Sequence, residues 1–126
     1  LYTFCSGNKF AGGENKAPSN NYYTMVLVKK ASCKVSEMNV TNFANSVMNR
    51  NLLRVRINFR SMIEFYAMTA HLESTKDFGK SRLDQLRQCF REMSQIDEKY
   101  PVFFGGDLNI RDTEVNKYFI FVSNFI

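Results

Sequence analysis

Pro101-Val-Phe-Phe-Gly-Gly-Asp-Leu-Asn-Ile-Arg-Asp112 is the stretch on which the fold turns. The wholly apolar run Val102 to Phe104 enters two glycines, and Asp107 and Asn109 follow two residues apart. A short apolar run bounded by turn residues reads as a buried strand. Glycine carries no Cβ, so backbone at Gly105 and Gly106 can approach a ligand closely. In a strand, residues i and i+2 point the same way, which predicts that Asp107 and Asn109 face one site at the strand's end. A carboxylate beside a carboxamide suits a water, a metal or a phosphate. The plainer reading is a strand followed by an Asx-type turn.

A second segment points to the same kind of site. Thr69-Ala-His-Leu-Glu-Ser-Thr75 ends another apolar strand and holds the single histidine of the chain, His71. A lone histidine is ordinarily packed or solvated, but this one is followed directly by Glu73, Ser74 and Thr75. Around it the pattern predicts further elements. Tyr22 to Val28 reads as a strand, and residues 1–20 and Ala31 to Asn49 as loops, the latter with short elements. Leu52 to Phe59 alternates, with Leu53, Val55, Ile57 and Phe59 on one face and Arg54, Arg56 and Asn58 on the other. That arginine face is expected to be solvated or to lie under a helix. Ile63 to Ala70 is apolar on both faces except for Glu64 and reads as a central strand, joined to the previous one through Arg60-Ser-Met62. Ser81 to Lys99 reads as an amphipathic helix with a core-facing stripe of Leu83, Leu86, Phe90, Met93 and Ile96. Pro101 stops it. Strand, hairpin, helix, strand is an α/β arrangement with its candidate residues at strand ends.

These residues carry a family resemblance. His71-Leu-Glu-Ser-Thr75, Arg82-x-x-Gln85-Leu86 and Gly106-Asp-x-Asn-x-Arg-Asp-x-Glu-Val115 resemble the tyrosyl-DNA phosphodiesterase type 2 family of the endonuclease/exonuclease/phosphatase superfamily. Tyr22-Tyr-Thr-Met-Val-Leu-Val-Lys-Lys30 and Arg50-Asn-Leu-Leu53 fit the same pattern in the same order. The resemblance covers about residues 20–115 and leaves 116–126 divergent. It implies a partial DNase I-like four-layer α/β/β/α sandwich, with residues 1–126 forming one incomplete domain. The Asp-x-Asn at a strand end is general to the superfamily; the other runs are more specific.

Composition narrows the field less. Seventeen Lys and Arg against twelve Asp and Glu give a net charge of +5, which favours a polyanionic partner such as nucleic acid. Three cysteines (Cys5, Cys33 and Cys89) lack a metal-type spacing and argue for reduced thiols in an intracellular setting. Asn39-Val-Thr41 matches a glycosylation acceptor, a triplet that chance supplies often. No apolar run reaches the length of a membrane span, and no signal peptide is visible. The start at Leu1 and the apolar, strand-prone tail Tyr118 to Ile126 are expected to mark a fragment that is poorly soluble alone.

Phosphodiester hydrolysis needs a positioned water, a base or orienting group, donors on the phosphoryl oxygens and help for the leaving group. Asp107 can orient or deprotonate the water, and Asn109 can donate its amide to a phosphate oxygen or hold the carboxylate. His71 can donate to a non-bridging oxygen. Ser74 and Thr75 can add hydroxyl donors, or simply cap the turn that follows. The resemblance assigns water activation to Asp107, an active-site role to Asn109 and phosphate binding to His71. It places Arg111 beside the DNA path and Lys76 where the family often has Arg, which keeps charge but loses bidentate geometry. Asp112 and Glu114 read as supporting residues, and Arg50 as a partner for a carboxylate near the strand rim.

The resemblance further implies Mg²⁺ as cofactor, with Mn²⁺ as an alternative. Asp107 would touch it weakly through water, because the family's principal ligands lie on strands upstream and downstream of the matched region. With one histidine in the chain, the family's second catalytic histidine is not among these residues. The implied activity is hydrolysis of 5′-phosphotyrosyl-DNA bonds in trapped topoisomerase II adducts, by a monomer in the nucleus with the cytoplasm as a second location. This chain by itself is expected to be inactive. The alternatives are another phosphodiesterase of the same fold, and a non-catalytic truncated isoform that binds DNA or protein through its basic surface.

Overall fold

The computed structural model describes residues 1–6 and 23–115. Strands β1 (Tyr2–Ser6) and β2 (Met25–Lys29) form an antiparallel pair. Strands β3 (Cys33–Asn42), β4 (Asn51–Phe59), β5 (Ile63–His71) and β6 (Val102–Asp107) form a second sheet in that order. A 3₁₀ turn (Lys76–Phe78) and helix α1 (Gly79–Ser94) connect β5 to β6, which run parallel. The other pairings in this sheet are antiparallel, so the sheet is mixed. Parallel neighbours need a crossover of this kind, and here it is the helix.

Alternation along β4 and β5 builds two cores on opposite faces of the larger sheet. Leu53, Val55 and Ile57 of β4, with Phe65 and Ala67 of β5, pack against Cys5 and Val28 of the β1–β2 sheet. Leu52, Met68 and Ala70 on the other face pack against Leu86 and Cys89 of α1, with Val102 and Phe104 of β6 alongside. Helix, large sheet and small sheet are therefore stacked as consecutive layers. Fully burying a Leu or Val contributes roughly 1.5–3 kcal/mol, and these side chains supply much of the driving force. Burial pushes the Cys89 thiol up to about 12, and all three cysteines are free thiols.

The expected arginine face does lie partly under the helix: Arg54 reaches Glu92 of α1 at 3.4 Å and Glu37 of β3 at 3.5 Å. The hairpin through 60–62 and the central position of β5 also match expectation.

Several local readings are corrected. Residues 2–6 form a strand rather than a loop. Residues 33–42 form a ten-residue strand, where the sequence suggested a loop. A bulge between Val35 and Glu37 shifts the register there, so Cys33 and Val35 face the core at odd positions but Val40 faces it at an even one. That break hides the two-residue period. The helix starts at Gly79 and ends at Ser94, five residues before Lys99. Its buried residues are Arg82, Gln85, Leu86 and Cys89; Phe90 of the expected stripe is more than a third exposed. Strand β6 runs on to Asp107, and its Phe103 is 63% exposed instead of buried. The tail from 118 lies outside the described residues.

Candidate active site

The parallel register of β5 and β6 pairs His71 with Asp107 at the shared end of the two strands. Their side chains meet at 3.5 Å between Nε2 and Oδ2, with 31% of the histidine and 65% of the aspartate side chain exposed. The ladder closes with Leu72 N–H donating to Asp107 O at 3.0 Å. Gly106 sits opposite Ala70 with φ +153°, and a Cβ there would overlap the Ala70 carbonyl oxygen. This glycine is required by the neighbouring strand, where the sequence suggested room for a ligand. Gly105 faces open space.

Asn109 joins the cluster, but not by strand alternation. Strand β6 has ended, and Asn109 adopts a left-handed conformation with φ 50°. Its backbone N–H donates to Asp107 Oδ1 at 3.2 Å, so the Asx turn and the site are the same structure. Its side-chain Nδ2 donates to the Leu72 carbonyl at 2.9 Å. That carbonyl also accepts from Arg50 Nη1. Leu72 O thus ties the loops after β5 and β6 to the start of β4. Among the described residues, the buried Arg50 guanidinium donates to Leu72 O, Met48 Sδ and Ser74 Oγ. Arg50, Asn51 and His71, with Tyr23, Thr24 and Asn49, line a small cleft beside the cluster.

The surroundings of His71 favour its neutral form. Burial lowers its pKa below the ordinary 6.5, and the Arg50 charge lowers it further, against smaller opposing effects of Asp107 and Glu73. A neutral imidazole donates from one nitrogen and accepts at the other.

The segment after His71 is fixed from beneath. Glu73 is buried and accepts from Ser46 Oγ at 2.6 Å and Val47 N at 3.1 Å. Its own N–H donates to Gln85 Oε1 at 2.9 Å. The fully buried Arg82 donates from Nη1 to the carbonyls of Glu73, Ser74 and Thr75 at 2.6, 3.1 and 3.0 Å. Its Nε and Nη2 grip the Glu114 carboxylate at 3.0 and 2.5 Å. Glu114 also accepts from Arg111 N at 3.1 Å. Arg82 holds Glu114 below the usual carboxylate range. A Cβ at Gly79 would come to 2.8 Å from Glu114 Oε1, so a larger residue at the helix start would press on the carboxylate that Arg82 grips. Sequence reasoning recorded Arg82 and Gln85 as motif residues and left their burial unforeseen. Thr75 has φ 55° and makes no side-chain capping bond, and the Ser74 hydroxyl accepts from Arg50; neither caps the turn through its side chain. Lys76 and Arg111 are exposed on the same side of the molecule, lining one cleft.

Among the described residues, His, Cys, Asp and Glu nowhere gather in threes as a metal site would require. Among the described residues, Asp107 is the one carboxylate in the His71–Asn109 cluster, and Mg²⁺ needs several well-placed oxygens. These residues do not by themselves make a magnesium site. No described helix is long and apolar enough to cross a membrane.

A mixed sheet between a helix and a second sheet, with His, Asp and Asn gathered at adjacent strand ends, defines the DNase I-like fold of the endonuclease/exonuclease/phosphatase superfamily. The human Nocturnin catalytic domain shares it, with a TM-score of 0.61 over 75% of this chain and 37% of that one at 20% identity. Closer likenesses resolve the membership. Tyrosyl-DNA phosphodiesterase 2 of Gallus gallus is 41% identical over 115 residues, 90% of this chain and 31% of that protein. The Homo sapiens protein of the same name is 38% identical over 96 residues, 76% of this chain and 26% of that one. A crystal structure of D. rerio TDP2 complexed with single-strand DNA product matches with a TM-score of 0.78 and 33% identity, over 92% of this chain and 42% of that one. No family model matches. The chain belongs to the tyrosyl-DNA phosphodiesterase 2 family, and it spans between a quarter and a third of the length of these curated relatives.

Proposed function

We propose that this chain carries part of the active site of a phosphodiesterase that hydrolyses the bond between a DNA 5′-phosphate and tyrosine. The observation that carries the proposal is the parallel register setting His71 against Asp107, with Asn109 folded back onto both loops. Asp107, largely exposed, takes the proton of the attacking water. Neutral His71 donates its N–H to a non-bridging phosphoryl oxygen as charge grows there. Asn109 spends one amide hydrogen on Leu72 O and has a second for the phosphate. Ser74, Thr75, Lys76 and Arg111 bind the DNA strand. A tyrosine phenol, with a pKa of about 10, leaves far more readily than a sugar hydroxyl, so little is asked of a general acid.

The proposal includes a divalent cation, Mg²⁺ or Mn²⁺, held by carboxylates additional to Asp107. Such an ion, if bound, would supply charge stabilisation at the phosphoryl oxygens. It also includes trapped topoisomerase II adducts as the DNA partner, a monomeric enzyme and a nuclear location with a cytoplasmic pool.

The test is a substrate comparison with the longest protein the transcript encodes. A 5′-phosphotyrosyl oligonucleotide, an abasic duplex and poly(A) are offered in turn. Preference for the phosphotyrosyl end is expected; preference for either other substrate would move the chain to a different phosphodiesterase. The +5 charge also supports a second reading, DNA binding without turnover. Salt-sensitive binding of all three substrates with no product would favour it.

A further inference from the structure

Beyond the cluster at the strand ends, a cleft of about 440 Å³ lies between the first half of α1 and the 111–115 turn. Lys76, Lys80, Leu83, Arg87, Arg111 and Thr113 are among its lining residues. Among the described residues its one lining carboxylate, Glu114, is already gripped by Arg82. Lys80 and Arg87 are seven residues apart, two turns of helix, and so share one face about 10 Å apart. That span lets the two cations meet different phosphates of one strand. Asp84 pairs with Arg87 at 2.7 Å, but both side chains are substantially exposed, and exposed pairs are weak enough for a phosphate to compete.

We infer that this cleft is a second phosphate-binding site, in which Lys80 and Arg87 hold the backbone of the strand several nucleotides from the scissile end. Lys76 and Arg111 form its near end and continue the path to His71 and Asp107. The site recognises phosphate more than base identity, because the polar side chains described along it are charged ones and the Thr113 hydroxyl. Leu83 gives a small apolar floor on which a sugar or base face can rest. The inference rests on the proposed phosphodiesterase reading for its substrate, and it makes the enzyme sensitive to strand length. Lys76 and Lys80 are exposed, so the cleft is open to solvent along its rim.

The experiment compares the whole enzyme with a Lys80→Ala/Arg87→Ala variant. A Lys30→Ala/Arg60→Ala variant removes the same charge at the other end of the sheet, where these residues line a separate cleft. Two phosphotyrosyl substrates are used, about two and about ten nucleotides long. The expected result is a KM about tenfold higher for the long substrate only, with kcat unchanged and the control variant like wild type. Binding of a ten-nucleotide single strand without tyrosine is followed against salt in parallel. The slope of log affinity against log salt should become shallower by about 1.4, the value for two phosphates on a single strand. Equal KM changes for both lengths, an unchanged slope, or an equal effect of the control variant would each overturn the inference. If wild type cleaves neither substrate, the phosphodiesterase reading fails while the salt slope still decides whether the cleft binds phosphate.

Discussion

Replacing Gly106 with alanine should damage this protein far more than the same change one residue earlier. At Gly106 the backbone has φ +153°, a region that L residues rarely adopt, and the new methyl would overlap Ala70 O. Ala70 N and Thr69 Oγ1 would lie at 3.1 Å, tighter than ordinary contact. The conformational strain costs about 1–3 kcal/mol. Overpacking against a rigid backbone carbonyl adds about 1–3 kcal/mol, because β5 cannot move without opening the ladder. The sum is about 2–6 kcal/mol, delivered one register step from the His71–Asp107 pair. At Gly105 nothing lies within 4 Å of the added methyl, and the change should stay within about 0.5 kcal/mol. The assay is urea denaturation of the two variants beside wild type in the whole protein, followed by circular dichroism. Equal stability of Gly106→Ala and Gly105→Ala would refute the packing argument, since both exchanges add the same atoms to the same strand.

Arg82→Ala should destabilise by about 3–5 kcal/mol, because it strands the Glu114 carboxylate and removes the donor shared by three carbonyls; denaturation showing a loss under about 1 kcal/mol would count against the clamp. Asn109→Gly should be more stable than Asn109→Ala by about 1–2 kcal/mol, since glycine accepts the left-handed conformation and alanine does not; both should lose turnover, and the order is read from thermal melts. The pKa of His71 is depressed in the folded protein, so the unfolded chain binds the proton first as pH falls below about 6.5. The stability contributed by neutral His71 is present above that pH and lost as pH falls through the depressed native value. Denaturation midpoints across this range should therefore fall less steeply in His71→Gln than in wild type.

How much could be read beforehand depended on whether a residue's job was local. The β4–β5 hairpin and the helix were legible because alternation and a three-to-four-residue stripe are consequences of packing on a flat neighbour. Strand β3 was not, since its bulge exchanges the inward and outward positions midway and most of its side chains are exposed. The pairing of His71 with Asp107 was foreseen as a shared site, yet its cause is the parallel register across a thirty-residue crossover, which no local pattern encodes. Asn109 does come beside His71 and Asp107, but through the Asx turn that the sequence offered as the plainer reading, not through strand alternation. Arg82 and Gln85 carried no burial signal at all. Polar residues on an amphipathic helix read as solvent-facing, and only the carbonyls and the carboxylate around Arg82 and Gln85 reveal that here they are core. Their recurrence in the family motif was the one available hint.

The central claim is that Asp107, beside His71 and Asn109, drives hydrolysis of a phosphotyrosyl bond. Its most direct test is tyrosine release from a 5′-phosphotyrosyl oligonucleotide by the longest encoded protein, with divalent ion and with chelator, beside its Asp107→Asn variant. The account predicts release by wild type with Mg²⁺ alone, with the variant folded, able to bind DNA and inactive. Release by Asp107→Asn at the wild-type rate would contradict it.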